Sequence, residues 1–137
     1  MTNRVEIVAA VKNALLKISR KNQNQTNFSK VTYWQDTPSE YGQNHLNFRD
    51  EEENYKIENQ RYKAELDLYI EAIVVETEKD AAELGTLALL DLIGAVKSLS
   101  LCGALFELVG SSKWVETKGK TACLVELKVK VKYKIER

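Results

Sequence analysis

The sequence predicts an α+β domain in which two main helices pack on one side of an antiparallel β-sheet. Residues 4–20 and 80–99 carry apolar side chains at helical spacing, and the second of these segments is the more apolar. Residues 61–75 and 121–135 alternate apolar and charged side chains, as strands with one buried face do. Both strands are therefore expected in one sheet, with both helices against its apolar face.

The N-terminal half contains one helix, one short strand and a long irregular segment. Thr2 or Asn3 can cap the first helix, and the polar residues 22–29 predict a loop. Residues 31–34 favour a short strand that stops at the turn around Pro38. Residues 37–54 have no period, so we predict a long acidic loop that is poorly ordered in an isolated subunit.

The C-terminal half is more regular. The apolar phase changes between Ile57 and Tyr62, which predicts a bulge or bend at 58–60 rather than a tight turn, because no Asn-Gly or Asp-Gly is present. Short strands are predicted at 105–109 and 114–117, with turns at 110–112 and 118–120. The side chains expected to be buried together are Tyr62, Leu66, Leu68, Ile70, Leu127, Val129 and Val131.

Composition limits the possible classes of protein. The 137 residues fit one domain, 1–137, and the net charge of zero argues against a strongly basic nucleic-acid binder. Cys102 and Cys123 match no zinc motif and are expected to be free thiols. The N-terminus shows no signal-peptide pattern, and the apolar stretch at 84–96 is too short and polar to span a bilayer. We expect synthesis in a cytoplasm and no membrane partner.

No residue pattern indicates catalysis, a cofactor or a metal. His45 is the only histidine, has no nucleophile or ligand pair beside it in sequence, and is interpreted as a surface side chain. The acidic run at 50–53 lacks the spacing of a calcium loop and is interpreted as solvated. Acids on the polar face of the first long strand are expected to face the lysines of the second, giving a mixed-charge surface formed by Glu65, Asp67, Glu71, Lys128, Lys130, Lys132 and Lys134.

The order of elements resembles the tail terminator (tail completion) proteins of long-tailed bacteriophages. The resemblance rests on pattern and covers nearly the whole chain. It includes the helix at 5–18, the segments VTYW at 31–34 and YKAELDLYIEAIV at 62–74, the helix at 81–99, and ACLVELKVKVKY at 122–133.

This resemblance implies a structural virion protein of the tail or neck, without enzymatic activity. Such proteins form a hexameric ring that caps the tail tube, stops its polymerisation and offers a docking surface to the head connector, and genome DNA is expected to pass through the lumen. The alternatives are another neck or head–tail joining protein, or a small α+β ligand-binding or enzyme domain. A candidate contact between neighbouring copies joins Asp50, Glu51, Glu52 and Glu53 to Lys128, Lys130, Lys132 and Lys134.

Overall fold

A computed structural model describes residues 3–21 and 28–135 of the chain. This part contains two helices and five strands, in the order α1 (Arg4–Lys21), β1 (Lys30–Tyr33), β2 (His45–Glu58), β3 (Arg61–Val75), α2 (Ala81–Ser98), β4 (Ala104–Lys118) and β5 (Lys120–Ile135). Both predicted helices and both predicted long strands are present.

The strands form one sheet in the order β1-β2-β3-β5-β4. β1 runs parallel to β2, and every other neighbouring pair is antiparallel. Ile7, Val11 and Leu15 of α1 and Leu84 and Leu92 of α2 join one buried cluster with alternate residues of β3 and β5. The predicted α+β fold, with both helices on one face of an antiparallel sheet, is therefore confirmed; we call this side the helix face.

Polar side chains begin both helices. The Asn3 Oδ1 atom accepts a hydrogen bond from the backbone N–H of Glu6 at 3.0 Å, while the alternative cap, Thr2, lies outside the described residues. Asp80 caps α2 by accepting from the N–H of Ala82 at 3.4 Å. These caps use N–H groups that have no partner inside the helix.

The prediction of a loop over 37–54 holds for residues 37–44, which form no helix or strand, but is wrong from residue 45 onward, because residues 45–58 form β2. This strand lacks a clean apolar period since polar residues occupy several of its buried positions. Of the loop predicted at 22–29, residues 22–27 lie outside the described residues. Phe28 is buried in the main core.

The predicted bulge or bend at 58–60 is also wrong, because a tight hairpin turn joins β2 to β3. Glu58 pairs with Arg61, and the two residues between them, Asn59 and Gln60, have positive φ angles of 51° and 65°. Two consecutive left-handed residues match the twist of a two-residue hairpin. The Asn-Gln pair was missed because glycine usually occupies the second position.

The third correction concerns β4, which is continuous from 104 to 118 and does not turn at 110–112. Its pairing with β5 shifts register between Leu108 and Gly110, so the extra residue Val109 forms a bulge. The turn predicted at 118–120 is present, with Gly119 at φ 78°. A glycine next to two serines therefore marked a bulge within one strand and not the end of a strand.

The predicted core set is largely confirmed, because Tyr62 is half-buried and the other six members are buried. A second, smaller cluster lies on the opposite face, which we call the outer face; it consists of Tyr41, Ile73, Val75, Ala122 and Leu124. The backbone N–H of Tyr41 donates to the carbonyl of Lys118 at 2.9 Å. The segment at 35–44 thereby closes one end of the outer face.

Gly85 of α2 packs directly against Cys123 of β5, which gives a test of the packing. A Cβ atom added there would overlap the Sγ atom of buried Cys123 and lie 3.0 Å from its Cβ. We expect Gly85→Ala to lower the free energy of unfolding by about 1–3 kcal/mol in chemical denaturation. Gly94→Ala is the matched control: no atom lies within 4 Å of its added Cβ, so it should stabilise the helix by about 1 kcal/mol.

The double variant with Gly85→Ala and Cys123→Ala tests the cause. Removing the sulfur relieves most of the overlap, so the loss should be smaller than the sum of the two single losses. Additive losses would show that Cys123 does not limit the approach of the helix.

Candidate interaction surfaces

A bulge in β2 divides the acidic run at 50–53 between the two faces of the sheet. The pairing with β3 shifts register between Asp50 and Glu53, which are opposite the buried residues Leu68 and Leu66. Residues three apart in a regular strand face opposite ways, but the bulge turns both of these acids to the helix face. The acidic run is therefore part of a folded strand.

Arg4, at the start of α1, binds both of these acids. Its Nε atom lies 2.6 Å from Asp50 Oδ2, and its Nη1 atom lies 3.0 Å from Glu53 Oε2. Its Nη2 atom also donates to the backbone carbonyls of Asp50, at 3.3 Å, and Glu51, at 2.9 Å. One guanidinium thus joins the first turn of the helix to the bulge, including carbonyls that the irregular pairing leaves available.

Three aromatic side chains complete this network. Trp34 Nε1 donates to Asp50 Oδ1 at 3.0 Å, and the Tyr33 hydroxyl donates to the same oxygen. The Tyr133 hydroxyl donates to Glu53. Only 5% of Asp50 is exposed, so this carboxylate exchanges its water for these donors.

The pKa shifts agree with an ionised Asp50. Burial alone would raise its pKa, but hydrogen bonds from Tyr33, Arg4 and Trp34 outweigh burial and hold the pKa below its usual value. The hydrogen bond from Arg4 to Asp50 raises the pKa of Arg4. Burial, followed by the hydrogen bond to Asp50, raises the pKa of Tyr33, so that hydroxyl keeps its proton and remains a donor.

The interpretation of 50–53 as a solvated run is therefore wrong for Asp50, which is buried and bound inside the subunit. Glu53 also has internal partners, in Arg4 and Tyr133. Glu51 is exposed and pairs with Arg49, and Glu52 is exposed. Within the candidate contact, Glu51 and Glu52 are the acids that a neighbouring copy could reach.

The four lysines of the candidate contact, at 128, 130, 132 and 134 of β5, lie on the outer face, in register with β3. In the strand register, Lys132 lies opposite Glu65, Lys130 opposite Asp67, and Lys128 opposite Tyr69. The Lys130 Nζ atom is 3.6 Å from a Glu65 oxygen, so the predicted mixed-charge surface is confirmed. Lys134 instead lies opposite another lysine, Lys63, near the hairpin end.

Tyr69 lies between two cations in the middle of the outer face. The guanidinium carbon of Arg49 is 4.6 Å from its ring centroid, and the Lys128 Nζ atom is 5.6 Å from it. Arg49 also pairs with Glu71 and Glu126, whose carboxylates would otherwise repel each other across the strands. The charges on this face are thus largely balanced within one subunit.

His45 is not the surface side chain that we expected. Only 4% of it is exposed, because it faces the outer-face cluster at the start of β2. The Thr32 hydroxyl donates to Asn47 Oδ1 at 2.9 Å, so its oxygen accepts the proton of His45 Nε2, 2.6 Å away. Burial, and to a smaller extent the charge of Lys30, lowers the pKa of His45.

β4 forms an edge of the sheet, since no described strand pairs with its far side. Leu105, Val109 and Val115 are 55%, 53% and 49% exposed, and Leu108 and Trp114 are also exposed. Long apolar edges are rare on monomers because they can pair with other strands. Sequence reasoning missed this edge because it divided the strand at Gly110.

β2 supplies a second edge on the opposite side of the sheet. β1 pairs only with residues 45–48, so residues 49–58 have no described strand beside them. Beyond the carbonyls bound by Arg4, this part of β2 carries exposed Tyr55 and Ile57 on the helix face. The two edges belong to one sheet and face in opposite directions.

The described residues contain no group of three or more His, Cys, Asp or Glu side chains that could hold a metal ion. A cavity of about 350 Å³ is lined by His45, Lys30 and Glu40, and by Gln35, Pro38, Gly42 and Gln43. In the part of the chain that is described, every buried side-chain nitrogen and oxygen has a partner.

Neither described helix is long and apolar enough to cross a membrane.

No protein-family model matches the sequence, and no curated protein matches it.

Arg4→Ala tests the network at the bulge. It should lower the free energy of unfolding by about 1–3 kcal/mol, because Asp50 would remain buried without its cation; the value is moderate since the Arg4 side chain is 38% exposed. The control is Arg61→Ala, at an exposed arginine of the hairpin end. Equal losses for both variants in urea denaturation would contradict the structural role of Arg4.

His45 provides a pH test because it is the only histidine. Its folded pKa is lowered, so its stabilising contribution is present above its unfolded pKa of about 6.5 and is lost as the pH falls through the folded value. The urea midpoint of the wild type should therefore decrease as the pH is lowered below about 6.5. The same slope in His45→Gln would assign the effect to other groups.

Proposed function

We propose that the protein is a structural subunit that joins copies of itself into a closed ring. The observation that supports this most is the pair of open edges, β4 on one side of the sheet and, beyond the carbonyls bound by Arg4, residues 52–58 of β2 on the other. A contact between two different surfaces repeats head to tail, and it closes when the rotation between neighbours permits. A sheet with one exposed edge could form only a single such contact.

The strand directions are compatible with this contact. β2, β3, β5 and β4 are antiparallel in turn, so β2 and β4 run in opposite directions. A copy related by rotation about an axis along the strands would therefore bring its β2 antiparallel to β4 of the first copy. The exposed apolar residues near both edges would then be buried at each junction.

The resemblance to tail terminator proteins supplies the biological role. In this proposal the ring has six subunits, caps the tail tube, ends its polymerisation and presents a surface to the head connector. The partners are the tube protein and the connector, genome DNA passes through the lumen, and the protein resides in the virion tail or neck. The ring acts by assembly and performs no reaction.

The proposal is tested by native mass and by tube growth. In low-salt buffer, with the tail-tube protein of the same phage added if the protein alone forms no rings, we expect hexamers or six-fold caps at tube ends. Tubes polymerised with the protein should be shorter and fewer should elongate. Val115→Lys should weaken ring formation because it places a charge at the β4 edge, whereas Lys12→Glu on the exposed side of α1 is the control.

Two results would contradict the proposal. Monomers that neither bind tube ends nor limit tube growth would exclude the terminator role. Rings that bind the connector but leave tube growth unchanged would instead identify a neck or head–tail joining protein.

A further inference from the structure

Exposed charges usually protect edge strands from pairing, but those of the β4 edge, including exposed Lys113 and Lys118, are engaged within the subunit. Its charged side chains have partners in their own subunit. Glu107 lies 3.3 Å from Lys132, and Lys113 donates to Thr86 of α2 at 2.9 Å. Glu116 accepts from the Tyr41 hydroxyl at 2.5 Å, and the ammonium group of Lys118 lies 5.4 Å from the Tyr41 ring centroid.

The residues along this edge are also self-complementary about Ser112. The bulge at Val109 sets which face each side chain occupies. Leu108 and Val115 are on the helix face, opposite the buried residues Val129 and Cys123. Gly110 and Trp114 are on the outer face, opposite Lys128 and Leu124. Counting outward from Ser112 and omitting the bulged residue, Gly110 is matched with Trp114, and Leu108 with Val115.

We infer that β4 pairs antiparallel with β4 of a second copy, about a two-fold axis that passes through Ser112 perpendicular to the sheet. Such an axis keeps each side chain on its own face, as antiparallel pairing requires. The product is a ten-stranded sheet with the helices of both copies on the same side. The contact is isologous, so each matched pair of residues occurs twice.

The pairs formed are chemically suitable. Leu108 packs against Val115 of the second copy, which removes two exposed apolar side chains from water at each occurrence. Trp114 lies over Gly110 of the second copy, and an aromatic ring across from a glycine is a known way to stabilise a strand pair. These contacts, together with backbone hydrogen bonds along the edge, form the interface.

One matched pair brings like charges together, and another places Lys118 opposite Leu105 of the second copy. Glu107 faces Glu116 of the second copy on the outer face, where like charges destabilise a strand pair. Lys132 offsets the first carboxylate and the Tyr41 hydroxyl binds the second. Glu107→Gln should therefore tighten the dimer, lowering its dissociation constant a few-fold.

This pairing does not depend on the ring, because it joins identical surfaces and gives a dimer by itself. It uses the same β4 edge as the head-to-tail contact, so the two contacts exclude each other at any one edge. Free subunits would be stored as dimers, and ring assembly would require the dimer to open.

A single cysteine at Ser112 tests the two-fold axis. In a background with Cys102→Ser, where the remaining native thiol at Cys123 is buried, Ser112→Cys should give a disulfide dimer under mild oxidation. The Cα atoms of a directly opposed pair are about 4.5–5.5 Å apart, which suits a disulfide. The matched control is Leu105→Cys, on the same strand and face, whose two copies would be about 40 Å apart. This control should stay reduced alone but cross-link when mixed with Lys118→Cys.

Charge exchange tests the register without oxidation. Val115→Lys should raise the dimer dissociation constant about tenfold in analytical ultracentrifugation, because lysine would face Leu108 of the second copy. Adding Leu108→Glu should recover dimerisation, since each lysine would then face a glutamate. Failure of both the Ser112→Cys cross-link and the charge rescue would overturn the pairing. In that case rings that cap tubes could still form, and the proposed function would stand. If dimers form but tube growth is unchanged, the ring is rejected and the β4 pairing stands.

Discussion

The bulge at residues 51 and 52 of β2 is the constraint on which much of the structure depends. Without it, Asp50 and Glu53 would lie on opposite faces of the sheet, and Arg4 could not bind both. With it, one guanidinium connects the first turn of α1 to a strand distant in sequence, and two aromatic donors from the β1 end close around the same carboxylate. The helix, the edge of the sheet and the charge of Asp50 are therefore coupled, and a change in any one alters the other two.

How much could be predicted from the sequence depended on whether burial followed a simple period. β3 and β5 are central strands with one apolar face, so their alternation is nearly complete, and both helices bury continuous stripes. β2 was missed because Asn47 and Asp50 occupy buried positions and because the bulge reverses the phase. A polar residue that is buried through specific hydrogen bonds cannot be distinguished from a loop residue until its partners are known.

The candidate surfaces, too, could be predicted only where they follow from a simple period in the sequence. It was predictable that lysines of β5 lie opposite acids of β3, because the alternation of apolar residues in two neighbouring strands sets their register. The apolar β4 edge was not predictable, since its importance comes from being last in the sheet order, which is a property of topology. Trp114 and Val115 were predicted to lie in a short separate strand, and their place on a long apolar edge appeared only when β4 proved to be continuous. Edge position and the internal pairing of nearby charges are the two features on which the proposed role of this strand in assembly rests.

The two tryptophans of the chain happen to be near the two opposite sides of the sheet. Trp34 follows β1 and hydrogen-bonds to Asp50, whereas Trp114 stands on β4 with its ring partly exposed. Their fluorescence therefore comes from two environments, and in the proposed assemblies a different neighbouring subunit would cover each one. Replacing either tryptophan with phenylalanine would leave a single tryptophan that reports on one side of the sheet. Intrinsic fluorescence of the two variants would then show the order in which the two sides become covered.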